Sequence, residues 1–470
     1  MFVVLALVVL VAAGGIASYR FDALDALLGD SDDESALDVE PPESLAFPPA
    51  RAAQPVLDEA RSAPLDRSAV EEAIRSVLKD RTMGERTGVA VMPTGAQRPT
   101  VTVGSGSYVP ASTLKNFTAV AALESLGTDK RFTTSVVRTP QGGSGHPALT
   151  LVGGGDPLLA SKAPSESDAV YPEPATLTEL AKQTAAELGR AGVAKVELRF
   201  DDSLFEGPDV NPRWESSYIS TDVTTPVSAL WVDEGIDPKT DERTTEPAAA
   251  AAEQFADLLG SYGIKVTGDV ARKAAPDNAT NVASVESPPL GAIVEELLEN
   301  SNNEAAEVVL RHLAIGEGEP ASFEGGTAAM KSVLTSMGVP WSGVTTYDGS
   351  GLSRDNAVTL KAELAVLRLA ATSADQATHA VIGGLPVAGF NGSLVDRFTA
   401  STSQDGLGVA RAKTGTLTGV HAYAGVTTDR AGTPLLFVAI ANKVDDEFAL
   451  EAQTGLDDIA SALSSCACTR

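Results

Sequence analysis

The sequence predicts an α/β (α+β) fold: a body built from both ends of the chain, with a strand-rich second domain inserted in its middle. Three observations carry this. Helix and strand patterns alternate near both ends, short strands dominate the middle, and 470 residues suffice for more than one buried core. At 43% hydrophobic and 21% charged, the composition is that of ordinary globular protein.

Residues 2–17, FVVLALVVLVAAGGIA, are uncharged and apolar. The run is at the short end for a membrane span and suits the apolar part of a signal peptide. Gly15 and Ala17 suit cleavage after Ala17, but no basic segment precedes the run. A cleaved signal and a retained N-terminal membrane anchor both remain open for 1–20. Either implies export to the cell envelope or the extracellular space, outside the cytoplasmic membrane. Phe21–Ala50 carries nine acidic residues, no Lys or Arg, and Pro41, Pro42, Pro48 and Pro49. Such a composition cannot bury a core, so 21–67 reads as an acidic, Pro-rich linker.

The body begins over 68–133. Val70, Ile74, Val77 and Leu78 share one face of a helix at Ala69–Lys79. GVAVM (88–92) and PTVTVG (99–104) flank Thr94-Gly95 as strand, turn and strand. PASTLKNFTAVAALESL (110–126) reads as a helix, since Leu114, Phe117, Val120 and Leu123 recur at every third position. The inserted domain, 134–285, contains the strand patterns SVVRT, ALTLVGGG and KVELRFD, with helices at Ala175–Ala191 and Ala248–Tyr262. The body resumes over 286–470 with a helical run at Leu290–Ala314, a strand at 434–443 and a helix near Phe448–Leu463. Within RAKTGTLTGVHAYAG (Arg411–Gly425), Val420, Ala422 and Ala424 alternate with His421, Tyr423 and Gly425, the period of a strand. The Thr–Gly steps before it are slight, which leaves room for another backbone to lie alongside.

The net charge of −28 argues against nucleic acid and against unaided binding to anionic lipid. Four histidines without HExxH spacing argue against a zinc hydrolase, and His312 and His421 read as ordinary helix and strand residues. No G-x-S-x-G occurs, and the glycines of LVGGGDPLL complete neither phosphate-loop pattern, so no metal and no cofactor is expected. Cys466 and Cys468 permit a local disulfide or two thiols; spacing alone does not decide.

Three short segments meet one another's chemical needs. Ser112 and Lys115 stand at i and i+3, one helical turn apart on one face. A serine needs a base to act as a nucleophile, and a buried lysine with a depressed pKa supplies one. Ser301-Asn302-Asn303 lies between two helical runs and is placed to point Ser301 and Asn303 into a cleft. Lys413-Thr414-Gly415 opens the strand described above. S-x-x-K, S-D-N and K-T-G together mark penicillin-binding proteins and class A β-lactamases. A class A β-lactamase would want a glutamate shortly after the S-x-N loop, whereas ELLEN (296–300) precedes it.

With these motifs go VPASTLKNFTAVAAL, LVGGGDPLL, FDDSLFEGP, ENSNNEAAE, YDGSGLSRDN and AKTGTLTGV, in that order. The chain thereby resembles the D-alanyl-D-alanine carboxypeptidase/endopeptidase family, the class C low-molecular-mass penicillin-binding proteins of peptidase family S13. The likeness runs from Val70 to Val444. It departs in having S-N-N for S-D-N, and in the 44-residue step from Ser112 to Asp156, short enough that an innermost inserted domain is reduced or absent.

The resemblance implies a transpeptidase-like antiparallel sheet flanked by helices, and a serine D-Ala-D-Ala carboxypeptidase, with D,D-endopeptidase action alongside. Its partners are peptidoglycan stem peptides ending in D-Ala-D-Ala, and β-lactam antibiotics. Ser112 would be the nucleophile, Lys115 its base, Ser301 the proton relay and Lys413 the electropositive support. Asn303 would bind the peptide amide. Thr414, Gly415 and Thr416 would take the peptide as an added strand, with the carboxylate at Lys413 and the two threonines. The matching family positions also make Asp156 and Arg354 a pocket for a diamino-acid end, with Leu352 and Leu417 along its apolar stem. The alternative, a catalytically weak peptidoglycan- or β-lactam-binding protein of the same fold, draws no support from the sequence, since no catalytic position is substituted.

Overall fold

The computed structural model describes residues 63–139, 145–165, 170–237, 240, 242–373 and 377–469. The apolar run and the acidic segment lie outside them. No helix among the described residues is long and apolar enough to cross a membrane.

Helix α1 (Arg67–Leu78) starts at Asp66, whose carboxylate accepts the amides of Ser68 and Ala69, and buries Val70 and Ile74. Strands β1 (Arg86–Pro93), β2 (Val101–Val103) and β3 (Ser107–Tyr108) lead to a 3-10 turn, Ala111–Leu114, and helix α2 (Lys115–Leu126). The middle of the chain holds β4 (Thr133–Thr139), β5 (Ala148–Val152), α3 (Leu177–Arg190), β6 (Lys195–Asp201) and α4 (Pro247–Ser261). It closes with β7 (Lys265–Val266), β8 (Ala271–Arg272) and β9 (Thr280–Glu286). Then come α5 (Leu290–Glu299), α6 (Asn303–Glu317), α7 (Phe323–Ser336), β10 (Val358–Thr359), α8 (Leu360–Thr372) and α9 (His379–Gly383). Strands β11 (Arg411–Leu417), β12 (Val420–Thr428) and β13 (Pro434–Asn442) precede the last helix, α10 (Ala449–Ser465).

The main sheet runs β11-β12-β13-β1-β2, every pair antiparallel. The first strand, β1, pairs along its whole length with the last, β13, from Arg86 opposite Asn442 to Pro93 opposite Leu435. Both faces of this sheet are covered. Leu436, Val438 and Ile440 join a core with α2, α5, α6 and α8, while Leu435, Phe437, Ala439 and Ala441 pack with α1 and α10. A strand covered on both sides must be apolar at successive positions, which is how β13 reads. A second, mixed sheet runs β7-β6-β5-β4-β9, with β8 also on β6. It packs Val136, Leu149, Leu151 and Leu198 against Leu177 and Leu180 of α3 and Phe255 of α4.

Local structure departs from simple periodicity at three places, all beside the cleft. The helix read from residue 110 begins instead as the 3-10 turn, with Ala111 at φ +48°. The helical run from Leu290 is cut in two at Ser301, which sits at φ +59°. RAKTGTLTGVHAYAG is a hairpin: Lys413-Thr414-Gly415 lies within its own strand, β11, and Thr418-Gly419 makes the turn into β12. The polar positions of β12 are buried too, because α10 covers them and Asp457 accepts the Tyr423 hydroxyl at 2.6 Å. Cys466 and Cys468 form a disulfide.

Candidate active site

The nucleophile candidate sits on a strained turn wedged between two glycines. Ala111 holds a left-handed backbone conformation that costs of order 1–3 kcal/mol for a residue with a side chain. A Cβ on Gly351, itself at φ +87°, would lie 1.9 Å from the Ala111 carbonyl. One on Gly415 would lie 2.6 Å from the Pro110 carbonyl. Without side chains at these two positions, β11 and the loop after α7 close on the turn from both sides and fix Ser112.

Lys115 is fully buried and uses its three hydrogens on three acceptors: Ser112 Oγ at 3.0 Å, Asn303 Oδ1 at 2.7 Å and the Ser350 carbonyl at 2.8 Å. Burial brings it down from 10.5 to about 8, against the opposing charges of Glu307, Asp348 and Glu304. An amine that loses its proton near neutral pH, within hydrogen-bond reach of a hydroxyl, can take that hydroxyl's proton. Lys413 is equally buried. Burial first, and then the Lys115 charge, push it well below the ordinary lysine value. Its amine donates to the Thr414 carbonyl at 3.1 Å, and no hydrogen bond joins it to Ser301 among the described residues.

Asn303 opens α6, and its amide donates to the Val223 carbonyl at 3.0 Å, so the S-x-N loop is tied both to Lys115 and to the middle of the chain. The amide has a second hydrogen to offer a peptide carbonyl. Thr414 donates to Ser393 Oγ at 2.8 Å, a neighbour that the sequence reading did not find. β11 is the edge of the main sheet. Its first residues are bonded to the 386–388 segment, through Ala412 N to the Pro386 carbonyl and Ala388 N to the Ala410 carbonyl. The rest of the outer edge, with Thr416 exposed and Leu417 half-buried, runs past Gly415.

Asp156 and Arg354 have separate surroundings. Asp156 is 4% exposed, accepts the Leu158 amide at 2.9 Å through Oδ1, and leaves Oδ2 with no partner among the described residues. Burial raises it to about 7. Arg354 donates to Glu215 at 2.6 Å and to the Thr418 carbonyl at 2.9 Å. Leu352 is buried with Trp214, Tyr218, Trp231 and Phe323, and Trp231 Nε1 donates to the carbonyl of Pro157, the residue after Asp156. The glycines before Asp156 serve close packing: a Cβ on Gly154 would meet the Thr133 carbonyl at 1.9 Å. His312 of α6 stacks on Phe132 at 3.7 Å, and its Nε2 lies 2.8 Å from the Gly155 carbonyl. Burial lowers this ring to about 4, so it is neutral and donates that bond, fastening the Asp156 loop to the helix that Asn303 begins.

Three buried acids around the cleft also escaped the sequence reading: Glu307, Asp348 and Glu363. Glu307 accepts the amides of Gly349 and Ser350; Asp348 accepts those of Gly351 and Ser353; Glu363 lies 2.6 Å from Thr113 Oγ1. On the sequence each looks like a solvated acid, and only packing buries it.

Comparison with known proteins places this geometry. The chain is 33% identical over 432 residues to carboxypeptidase DacB of Mycolicibacterium smegmatis, covering 90% of each chain. It is 35% identical over 365 residues to carboxypeptidase Rv3627c of Mycobacterium tuberculosis, covering 77% of this chain and 76% of that one. The crystal structure of penicillin binding protein 4 (dacB) from Haemophilus influenzae superposes with a TM-score of 0.68 at 23% identity, over 83% of this chain and 98% of that chain, and shows the same fold. The model of the D-Ala-D-Ala carboxypeptidase 3 (S13) family matches residues 70–243 and 236–463, and the chain belongs to that family.

Proposed function

We propose that this chain is a serine-type D-Ala-D-Ala carboxypeptidase acting on peptidoglycan stem peptides in the cell envelope, with Ser112 as the nucleophile that β-lactams also acylate. The observation that carries the reading is the buried Lys115 amine, 3.0 Å from Ser112 Oγ and brought near neutrality by burial. Lys115 takes the serine proton as Oγ attacks the carbonyl between the two D-alanines. The amides of Ser112 and Thr416 receive the oxyanion, each donor lowering the barrier by about 2.7–4 kcal/mol. As the carbon–nitrogen bond breaks, Ser301 relays the proton held by Lys115 to the departing D-alanine nitrogen, and water, giving a proton to Lys115 that passes on to Ser112 Oγ, then hydrolyses the ester. Asn303 holds the peptide amide. The outer edge of Thr414–Thr418 takes the peptide as an added strand, which the sheet-edge position of β11 supports. A substrate carboxylate arriving at Lys413, Thr414 and Thr416 would favour the charged form of Lys413 that burial disfavours.

The finer assignments follow the same reading. Asp156 and Arg354 accept the ammonium and carboxylate of a free diaminopimelate end, Leu352 and Leu417 flank its stem, and the unpartnered Asp156 Oδ2 supports the acid's part. Residues 134–285 form the inserted domain, between body segments 68–133 and 286–470. Residues 1–20 direct export, as signal or anchor, with 21–67 as linker. A gel assay with fluorescent penicillin tests the core of this: wild-type protein takes up label, and Ser112→Ala takes up none while keeping its circular dichroism spectrum. Undiminished label in the Ala variant refutes the nucleophile.

A further inference from the structure

The mechanism above leaves the buried acids beside its base unused, Glu307 among them. Glu307, on α6, is fully buried and aims its carboxylate at two consecutive backbone amides: Gly349 N at 3.0 Å and Ser350 N at 2.8 Å. Those amides belong to the loop that presents the Ser350 carbonyl to Lys115 Nζ, 2.8 Å away. Each held amide fixes the peptide plane before its residue; the plane after Ser350, which carries the carbonyl that meets Lys115, is held by Gly351 N donating to Asp348 Oδ1 at 3.0 Å, so the two acids grip Ser350 from its two sides. We infer that Glu307 is a positioning residue for the general base: through the Gly349 and Ser350 amides it anchors the loop residue whose carbonyl receives Lys115, and its negative charge beside that loop bears on how easily Lys115 gives up its proton. The inference rests on Lys115 acting as the base.

The four charges facing Lys115 come from three elements: Glu307 and Glu304 of α6, Asp348 of the loop, and Lys413 of β11. Arg311, one turn on from Glu307, is committed to the carbonyls of Pro208 and Ala321. Both Glu307 oxygens accept amide hydrogens, which favours the ionised carboxylate, while burial first and then the Asp348 charge raise it to about 7, so it carries its charge above that pH. Its negative charge is foremost among those that hold the Lys115 proton on. Removing it lowers the pH at which Lys115 becomes a base.

The test is the rate of acylation by a fluorescent penicillin between pH 7 and pH 9.5, for the full chain, Glu307→Gln and Glu307→Asp. Losing one nearby charge moves the acid limb down by about one pH unit, so the Gln variant's rate at pH 7, relative to its own plateau, rises roughly fivefold over wild type. Glu307→Asp keeps the charge but shortens the reach, so its rate falls by the same factor at every pH and the limb stays put. An unmoved limb in the Gln variant overturns the role of Glu307. If the Gln variant does not fold, an Asp variant at wild-type rate throughout overturns it instead. No labelling of wild type at any pH overturns the assignment of Ser112 and Lys115, which distinguishes the two failures.

Discussion

Glu363 makes a prediction with a calculable size. It lies on α8, fully buried, with Oε1 2.6 Å from Thr113 Oγ1 and Oε2 without a partner among the described residues. Thr113 Oγ1 is also 3.0 Å from the Pro110 carbonyl, which can only accept. The hydroxyl has one hydrogen; if it goes to Pro110, the hydrogen between Thr113 and Glu363 must come from the acid. With burial pushing it from 4.5 to about 8, Glu363 is mostly protonated at neutral pH and can supply that hydrogen. The folded state then binds one more proton than the unfolded chain between those values. The resulting stability is complete below pH 4.5 and is lost as pH rises toward 8. At 1.36 kcal/mol per pH unit, about 2–3 kcal/mol disappears between pH 5.5 and pH 7.5. With an unfolding entropy near 2.1 cal/mol/K per residue over the roughly 400 described residues, that is ~3 °C in Tm. Glu363→Gln keeps the contact, its amide donating to Thr113, and does not titrate. Thermal melts of both proteins at both pH values should show the wild type losing ~3 °C more than the variant, since other titrations cancel. Equal losses would refute the protonated acid.

The other predictions concern the cleft. Lys115→Arg should abolish acylation by fluorescent penicillin, because a guanidinium stays protonated and cannot act as a base, whereas Lys413→Arg should keep part of it; equal loss in a labelling time course would misassign the two lysines. Wild-type acylation should rise about tenfold per pH unit below pH 8 and level off above it, following the Lys115 amine; a flat profile from pH 6 to pH 9 would remove Lys115 as the base. Asp156→Asn should lower kcat/KM for a peptide with a free diaminopimelate end and barely change the N-acetylated peptide; an equal fall for both would make Asp156 structural.

The sequence showed the outline of the fold because core spacing is local information. Val70 and Ile74, four apart, announce α1, and the unbroken apolar stretch at Leu435–Ala441 announces a strand covered on both faces. What escaped was decided by contacts distant in the chain. The S-x-N loop was legible as a break between two helical runs, but nothing in SNN says that Ser301 will adopt φ +59°, since a serine carries none of the signal a glycine would. Helix α2 is buried all round, Ala119, Ala121 and Ala122 included, so the stripe of Leu114, Phe117, Val120 and Leu123 understated how enclosed Lys115 is. Ser112, Lys115 and Asn303 were legible together because their spacing is chemical. The carboxylates behind them were not, because acids on amphipathic helices normally face water.

The S-N-N departure from S-D-N has a reason in the same surroundings. Asn302 caps α6, its Oδ1 accepting the Ala305 amide at 2.9 Å, a task aspartate performs equally well. Its other end distinguishes the two. Asn302 Nδ2 donates to Glu234 at 2.5 Å and lies 3.4 Å from Glu296, while Glu304 stands close by, accepting the Thr225 amide and pairing with Arg243 at 2.7 Å. Three carboxylates from three elements meet here with one arginine, and burial and the neighbouring acids raise Glu234 to about 7. An aspartate at 302 would add a fourth carboxylate and remove the only hydrogen that the side chain gives Glu234. Only an amide both caps the helix and donates to that acid. Glu234 belongs to the 134–285 segment, as does Val223, whose carbonyl accepts the Asn303 amide. Two adjacent residues of the S-x-N loop are thus held from that segment, one through each amide, and the middle residue follows from the acid it must meet.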